Sequence, residues 1–142
     1  MASLPFYGML MPNKTQMKNL NVGTLNVQGC QEESKQRSLY KDILDYDLQV
    51  LGLTETHIKD ESTQTIRVTN DSKSKTLKIY YSGIQGNNPF TGTGIAIDDS
   101  LNPKFKRIND RMITANITLD KNRHINIIVA YAPTLVKSEK EP

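Results

Sequence analysis

Gln49–Lys59 reads QVLGLTETHIK, a short apolar run, Val50-Leu51-Gly52-Leu53, that ends abruptly in Thr54, Glu55, Thr56 and His57. A run this short, met at once by a carboxylate, predicts a buried strand that delivers Glu55 to its exposed carboxyl end. Taken alone, the stretch leaves two readings of Glu55 open: a ligand, or simply the first solvated residue after a strand. The flanking segments carry the argument further.

Upstream, Leu20, Val22 and Leu25 lead to Asn26, and Gln28-Gly29 closes the run, so a strand is expected to end near Asn26 and to turn through Gly29 and Cys30. The next segment, SKQRSLYKDILDYD, places Leu39, Ile43 and Leu44 on one face with Tyr40 beside it, while Lys35, Arg37, Lys41 and Asp42 point elsewhere. This is an amphipathic helix, with Ser34 as its cap or the acidic pair Glu32-Glu33 at its start. Strand, helix and strand at this spacing form a βαβ unit with two parallel strands side by side. Parallel neighbours end on the same edge of a sheet, so Asn26 and Glu55 are expected to emerge into one crevice.

Downstream the chain turns polar. STQTIRVTND and SKSKTLKIYYS alternate as strands and are joined through Asp71–Ser74 as an antiparallel pair. Lys73, Lys75 and Lys78 are expected to form a solvated edge, which also discourages strand aggregation. The loop IQGNNPFTGTG lacks the Lys-Ser/Thr of a P-loop and leads into a strand rather than a helix, which excludes that reading. TGTGIAIDD is a loop entering a buried strand, with Gly92 and Gly94 allowing close backbone packing. MITANITLD and HINIIVAYAP form two further strands around the turn Asp120–Arg123; the second, rich in Ile and Val, is expected to be central, to end in Tyr131 and to stop at Pro133. No internal repeat is visible.

Composition bounds the function. The chain has 142 residues, 37% of them apolar and 23% charged, which suits one globular domain. A net charge of +3 is too mild for a strongly basic nucleic-acid footprint, and the few aromatics, none of them Trp, exclude a platform of stacked rings for single strands. Cys30 is the only cysteine, so there is no intrachain disulfide partner and no cysteine-rich zinc site. With no basic leader ahead of the short apolar N-terminal patch and no stretch of membrane-spanning length, the expectation is an intracellular protein, the nucleus included, with no membrane partner and no secretion. The sequons at Asn13, Asn70 and Asn116 do not change this. Residues 1–19 are expected to form a flexible tail, 20–136 the domain, and 137–142 a charged C-terminal end.

Three strand ends thus carry polar groups that could converge: Asn26, Glu55 and Tyr131. A carboxylate beside an amide suits a hard divalent cation, since magnesium takes only one or two protein carboxylates and fills its octahedron with waters and phosphate oxygens. A tyrosine hydroxyl beside it suits a phosphate oxygen or an attacking water. Residue chemistry alone stops at an oxygen-ligand metal site.

The ordered series TLNVQG, QVLGLTETH, GTGIAI, RMITANI and INIIVAYAPT, running from about Leu20 to Thr134, resembles the endonuclease/exonuclease/phosphatase family, and within it the endonuclease domains of LINE-type retrotransposons. The resemblance implies an α/β fold, here the N-terminal half of a four-layer α/β sandwich with mixed β-sheets and a flanking helix, truncated. It implies Mg²⁺ as cofactor, DNA as partner of a full domain, and phosphodiester hydrolysis. Residue by residue, it gives Asn26 and Tyr131 catalytic positions, Glu55 the metal ligand, and Arg111 a substrate or supporting position. His57, in the ETH motif, is read as a hydrogen-bonding neighbour, because the family's catalytic histidine lies elsewhere.

In that family an Asp-x-Asn motif, a histidine-orienting acid and a Ser-Asp-His motif follow the YAP segment. Neither motif occurs after Tyr131 in these residues. Asp120-Lys121-Asn122 has the Asp-x-Asn spelling but precedes YAPT in a hairpin turn, and His124 opens a strand without a preceding Ser-Asp. Positioned acid–base groups contribute about 10²–10⁴-fold to such reactions. The expectation is therefore a partial phosphodiesterase domain, inactive as an isolated chain, with a sheet edge left uncovered for pairing. The alternative is a non-catalytic retroelement remnant, at most a weak nucleic-acid-binding or protein-interaction module. Phosphoinositide phosphatase or deadenylase activity is a lesser alternative within the family.

Overall fold

The computed structural model describes residues 19–84 and 86–132. Asn19 apart, the expected tail lies outside them, as do the stop at Pro133 and the charged end.

Strand β1 (Val22–Asn26), helix α1 (Glu33–Asp45) and strand β2 (Val50–Thr54) form the expected unit, with β1 parallel to β2 and Asn26 level with Thr54. Strands β3 (Ser62–Thr69), β4 (Ser74–Ser82) and β5 (Thr93–Asp98) complete a five-stranded sheet in the order β1-β2-β5-β4-β3. A single 3₁₀ turn, Asp99–Leu101, leads to a second sheet of β6 (Lys104–Asn109), β7 (Met112–Asp120) and β8 (Arg123–Ala130), antiparallel in that order.

The large sheet is covered on both faces, which explains why β2 and β5 read as continuous apolar runs. Leu51, Leu53, Leu77, Ile79 and Tyr81 point one way, onto Leu39, Ile43 and Leu44 of α1. Val50, Tyr80, Ile95 and Ile97 point the other way, onto Ile113, Ala115, Ile117 and Val129 of the second sheet. The result is helix, sheet, sheet. Gly52 permits the close approach of the two sheets, because a Cβ there would stand 3.0 Å from Val129 Cγ2.

Of the two expected starts of α1, the acidic pair holds: Glu32 is the cap, receives the amides of Lys35 and Gln36 through its carbonyl and makes no side-chain cap, and Ser34 lies inside the helix. Two expectations are corrected, and one strand is new. The lysines of β4 are no edge, because β4 lies between β3 and β5. Lys73 Nζ donates to Leu44 O at 3.3 Å, and Lys75 Nζ donates to Leu48 O at 2.8 Å and Asp47 Oδ1 at 3.2 Å, so both serve the C-terminal end of α1. The helix has no basic residue in its own last turn, and these cations take that place. β8 is not central among the described residues: there it pairs with β7 alone, and Ile128 is 65% exposed. Finally, β6 was not anticipated, because KFKRIN alternates too weakly to stand out from a loop.

Candidate functional site

The ladder between β1 and β2 continues past both strands. Val27 donates to Thr54 O, Gly29 to Glu55 O and Cys30 to Thr56 O, at 2.7–3.0 Å. On its other side the same loop donates from Thr56 to Gly92 O (3.1 Å) and from His57 to Thr91 O (3.0 Å). Glu55-Thr56-His57 is thereby held between two neighbouring loops. The conformation is costly: Glu55 (φ 55°) and His57 (φ 60°) are both left-handed, as is Gln28 (φ 48°) across from them. Buried Thr56 fills the space that Gly92 leaves; a Cβ on Gly92 would lie 2.5 Å from Thr56 Oγ1.

This backbone brings the expected residues together. Asn26 Nδ2 donates to Glu55 Oε2 at 2.6 Å, and Gln28 N donates to Asn26 Oδ1 at 3.2 Å, so the amide is fixed from both ends. The Tyr131 hydroxyl lies close enough to the Glu55 carboxylate to feel its charge. Desolvation, together with that charge, raises the Tyr131 pKa against the opposing charge of Arg111. Tyr131 is therefore a proton donor, not a phenolate, at neutral pH. Arg111 lies with its guanidinium carbon 5.4 Å from the Tyr131 ring centroid, and Arg111 O accepts the Tyr131 amide at 2.8 Å. Thus two residues, Asn26 and Tyr131, come to Glu55 from separate strand ends, and Arg111 lies over the ring of the second.

His57 is placed differently from the sequence expectation. It bonds through its backbone, whose carbonyl accepts from Gln31 Nε2 at 2.7 Å, whereas its Nε2 stands 4.0 Å from Glu55 Oε1 and has no hydrogen-bond partner among the described residues. Its ring packs edge-on against Phe90, centroids 5.4 Å apart. Asp120 binds Arg123 in the hairpin turn and His124 meets Thr118, so the two decoys are structural. A groove of about 500 Å³ lies elsewhere, between α1 and β3; two of its cations are neutralised there as Arg37–Glu33 and Lys41–Asp45.

The donor set fits a magnesium ion in its least demanding form. Among the described residues no group of three or more His, Cys, Asp or Glu side chains converges. One carboxylate suffices when waters and phosphate oxygens supply the remaining ligands. Arg111 Nη1, buried and without a partner among the described residues, is a donor in want of an anion beside Tyr131. Glu55 would hold the cation, with Asn26 next to it.

Sequence reasoning missed Phe90 and the pair Thr91–Asp110 (3.1 Å), which ties the Phe90 loop down. A lone Phe in a Gly/Asn-rich loop has no periodicity to mark it.

No protein-family profile and no characterised protein matches this chain. Among solved structures it is similar to the crystal structure of the AP endonuclease LMAP from Leishmania major, with a TM-score of 0.57 and 14% identity, over 79% of this chain and 39% of that one. The likeness shows the fold alone, a mixed α/β sandwich of two sheets and a flanking helix, and this chain spans less than half the length of that structure. No helix among the described residues is long and apolar enough to cross a membrane.

Proposed function

We propose that the chain carries the metal-binding part of a magnesium-dependent phosphodiesterase that nicks DNA, of the kind found in LINE-type retrotransposon endonucleases. The observation that carries this reading is the Asn26–Glu55 bond of 2.6 Å at the paired ends of β1 and β2. Each residue then has a task. Asn26 fixes the rotamer of Glu55, and Glu55 holds the cation. Tyr131, kept protonated, donates to a phosphate oxygen, and Arg111 holds the Tyr131 ring. Magnesium, when bound, polarises the phosphate. A general base to orient water and an acid for the leaving oxygen must come from groups other than these four. Without them a loss of about 10²–10⁴-fold is expected.

A second reading is favoured by the single carboxylate at the site: a non-catalytic remnant that binds nucleic acid or protein weakly. Two measurements separate the readings. Titration with Mn²⁺ in an ¹⁵N NMR experiment is expected to broaden Asn26, Glu55 and Tyr131 first, and Glu55→Gln is expected to remove that selectivity. Broadening elsewhere, or broadening that Glu55→Gln leaves intact, would sink the metal assignment. In a supercoiled-plasmid nicking assay with Mg²⁺ this chain is expected to give negligible product; robust nicking abolished by Glu55→Ala would show that the four residues suffice.

A further inference from the structure

A single exposed apolar side chain is ordinary on a protein surface and calls for no explanation. Phe90 differs from the others in what holds it. It is 62% exposed, yet its own amide donates to Asn88 Oδ1 at 2.9 Å. The next residue, Thr91, is buried and bonds Asn88 O and Asp110 Oδ2 through its hydroxyl, while its carbonyl takes the His57 amide. Gly92 follows, with φ at 106° and no room for a Cβ. Phe90 is therefore an exposed ring on a stiff support, bonded to the same loop that carries Glu55. The ring meets His57 at an interplanar angle of 73°, and such an edge contact leaves at least one face of Phe90 open.

An aromatic face held rigidly beside a candidate phosphodiester site suits a flat, weakly hydrated partner on the strand that carries the phosphate. We propose that Phe90 stacks on a nucleobase of an unpaired DNA strand bound at the Glu55 site. The inference rests on the phosphodiesterase reading and narrows it: the substrate is a base-bearing polynucleotide, locally unstacked, rather than a lone phosphate ester. It is one stacking position, consistent with a chain too poor in aromatics to build a platform. Stacking of this kind tolerates any base, because every base has a π-face.

The test compares two fluorescein-labelled probes by anisotropy, in EDTA so that neither metal nor turnover contributes: a short oligodeoxythymidylate, and a strand of equal length whose sugars carry no bases. The chain is expected to prefer the base-bearing strand. Phe90→Ala is expected to weaken that strand by roughly five- to 150-fold, the span of base–aromatic stacking, and to leave the base-free strand unchanged; Phe90→Tyr should retain the preference. Because Phe90 is exposed, circular dichroism should find all variants folded. Equal affinity of the intact chain for both probes, no binding of either, or base-bearing affinity untouched by Phe90→Ala overturns the proposal. The Mn²⁺ titration is independent of this assay: stacking without metal selectivity would fault the phosphodiesterase reading, and metal selectivity without stacking would fault this one.

Discussion

Glu55 combines the most chemically useful position in the chain with one of its least comfortable backbones. A non-glycine residue at φ 55° costs on the order of 1–2 kcal/mol, and here the cost is borne by the bonds from Gly29 to Glu55 O and from Asn26 to its carboxylate. The strain thus falls on the carboxylate of the candidate site. This separates two substitutions that both delete the carboxylate. Glu55→Ala keeps the strain and loses the Asn26 bond; Glu55→Gly loses the bond but relaxes the backbone. Urea unfolding is expected to find Glu55→Gly more stable than Glu55→Ala by about 1 kcal/mol, with metal selectivity gone from both. Equal stabilities would mean that the left-handed turn is not where the strain resides.

At the scale of elements, the lysines of β4 distinguish a structural cation from a decorative one. Lys75 has only 12% of its side chain exposed and donates to Leu48 O just beyond α1, with Asp47 and Asp98 as charge partners. Lys78 is three times as exposed and has only Asp99, at 3.7 Å. Lys75→Met should cost about 1–3 kcal/mol, because a half-buried carbonyl loses a charge-assisted donor, whereas Lys78→Met should stay within about 0.5 kcal/mol; paired urea titrations check both. The same contrast marks how far the sequence could be read. Alternation in SKSKTLKIYYS reveals a strand but says nothing about which strands flank it, so lysines tied to a helix end read as an edge. β8 fails for the same reason: ILE-rich alternation gives its inner face through Val129, while its edge position follows only from pairing. The meeting of Asn26 and Glu55 was legible because parallel neighbours must end together. The left-handed backbone of Glu55 and His57, and the support beneath Phe90, were not, because they arise from three loops that meet only in the fold.

At the scale of the whole molecule, the two sheets of the described residues have four edges, and they are not alike. β3 exposes Thr63, Gln64, Thr65 and Arg67, and β6 carries Lys104 and Lys106 and an irregular register after Arg107. Charge and irregularity of this kind keep strands from pairing with strangers. β1 and β8 have little of it. β1, VGTLN, has no charged residue and exposes Val22 (57%) and Leu25 (41%); β8 exposes Ile128 and is charged only at its start. The two edges lie on the same side of the molecule, since β8 packs over β2 and β5, and Val22–Thr24 and Ile127–Ala130 line one cleft. Backbone polarity agrees. Asn21 O and Val27 N are engaged with the β2 side, so the intervening even-numbered residues Val22, Thr24 and Asn26 turn their amides and carbonyls outward. We propose that this face pairs with further strands, and that the isolated chain self-associates through it. Sedimentation velocity across a concentration series should find reversible association, which Val22→Lys combined with Ile128→Lys suppresses, because two cations on a bare edge oppose strand addition. The matching substitutions Thr63→Lys and Thr65→Lys on β3 should leave association unchanged, since that edge is already polar. A chain that stays monomeric throughout, or one whose association responds to β3 and not to β1 and β8, would show that the exposed apolar edges are tolerated rather than used.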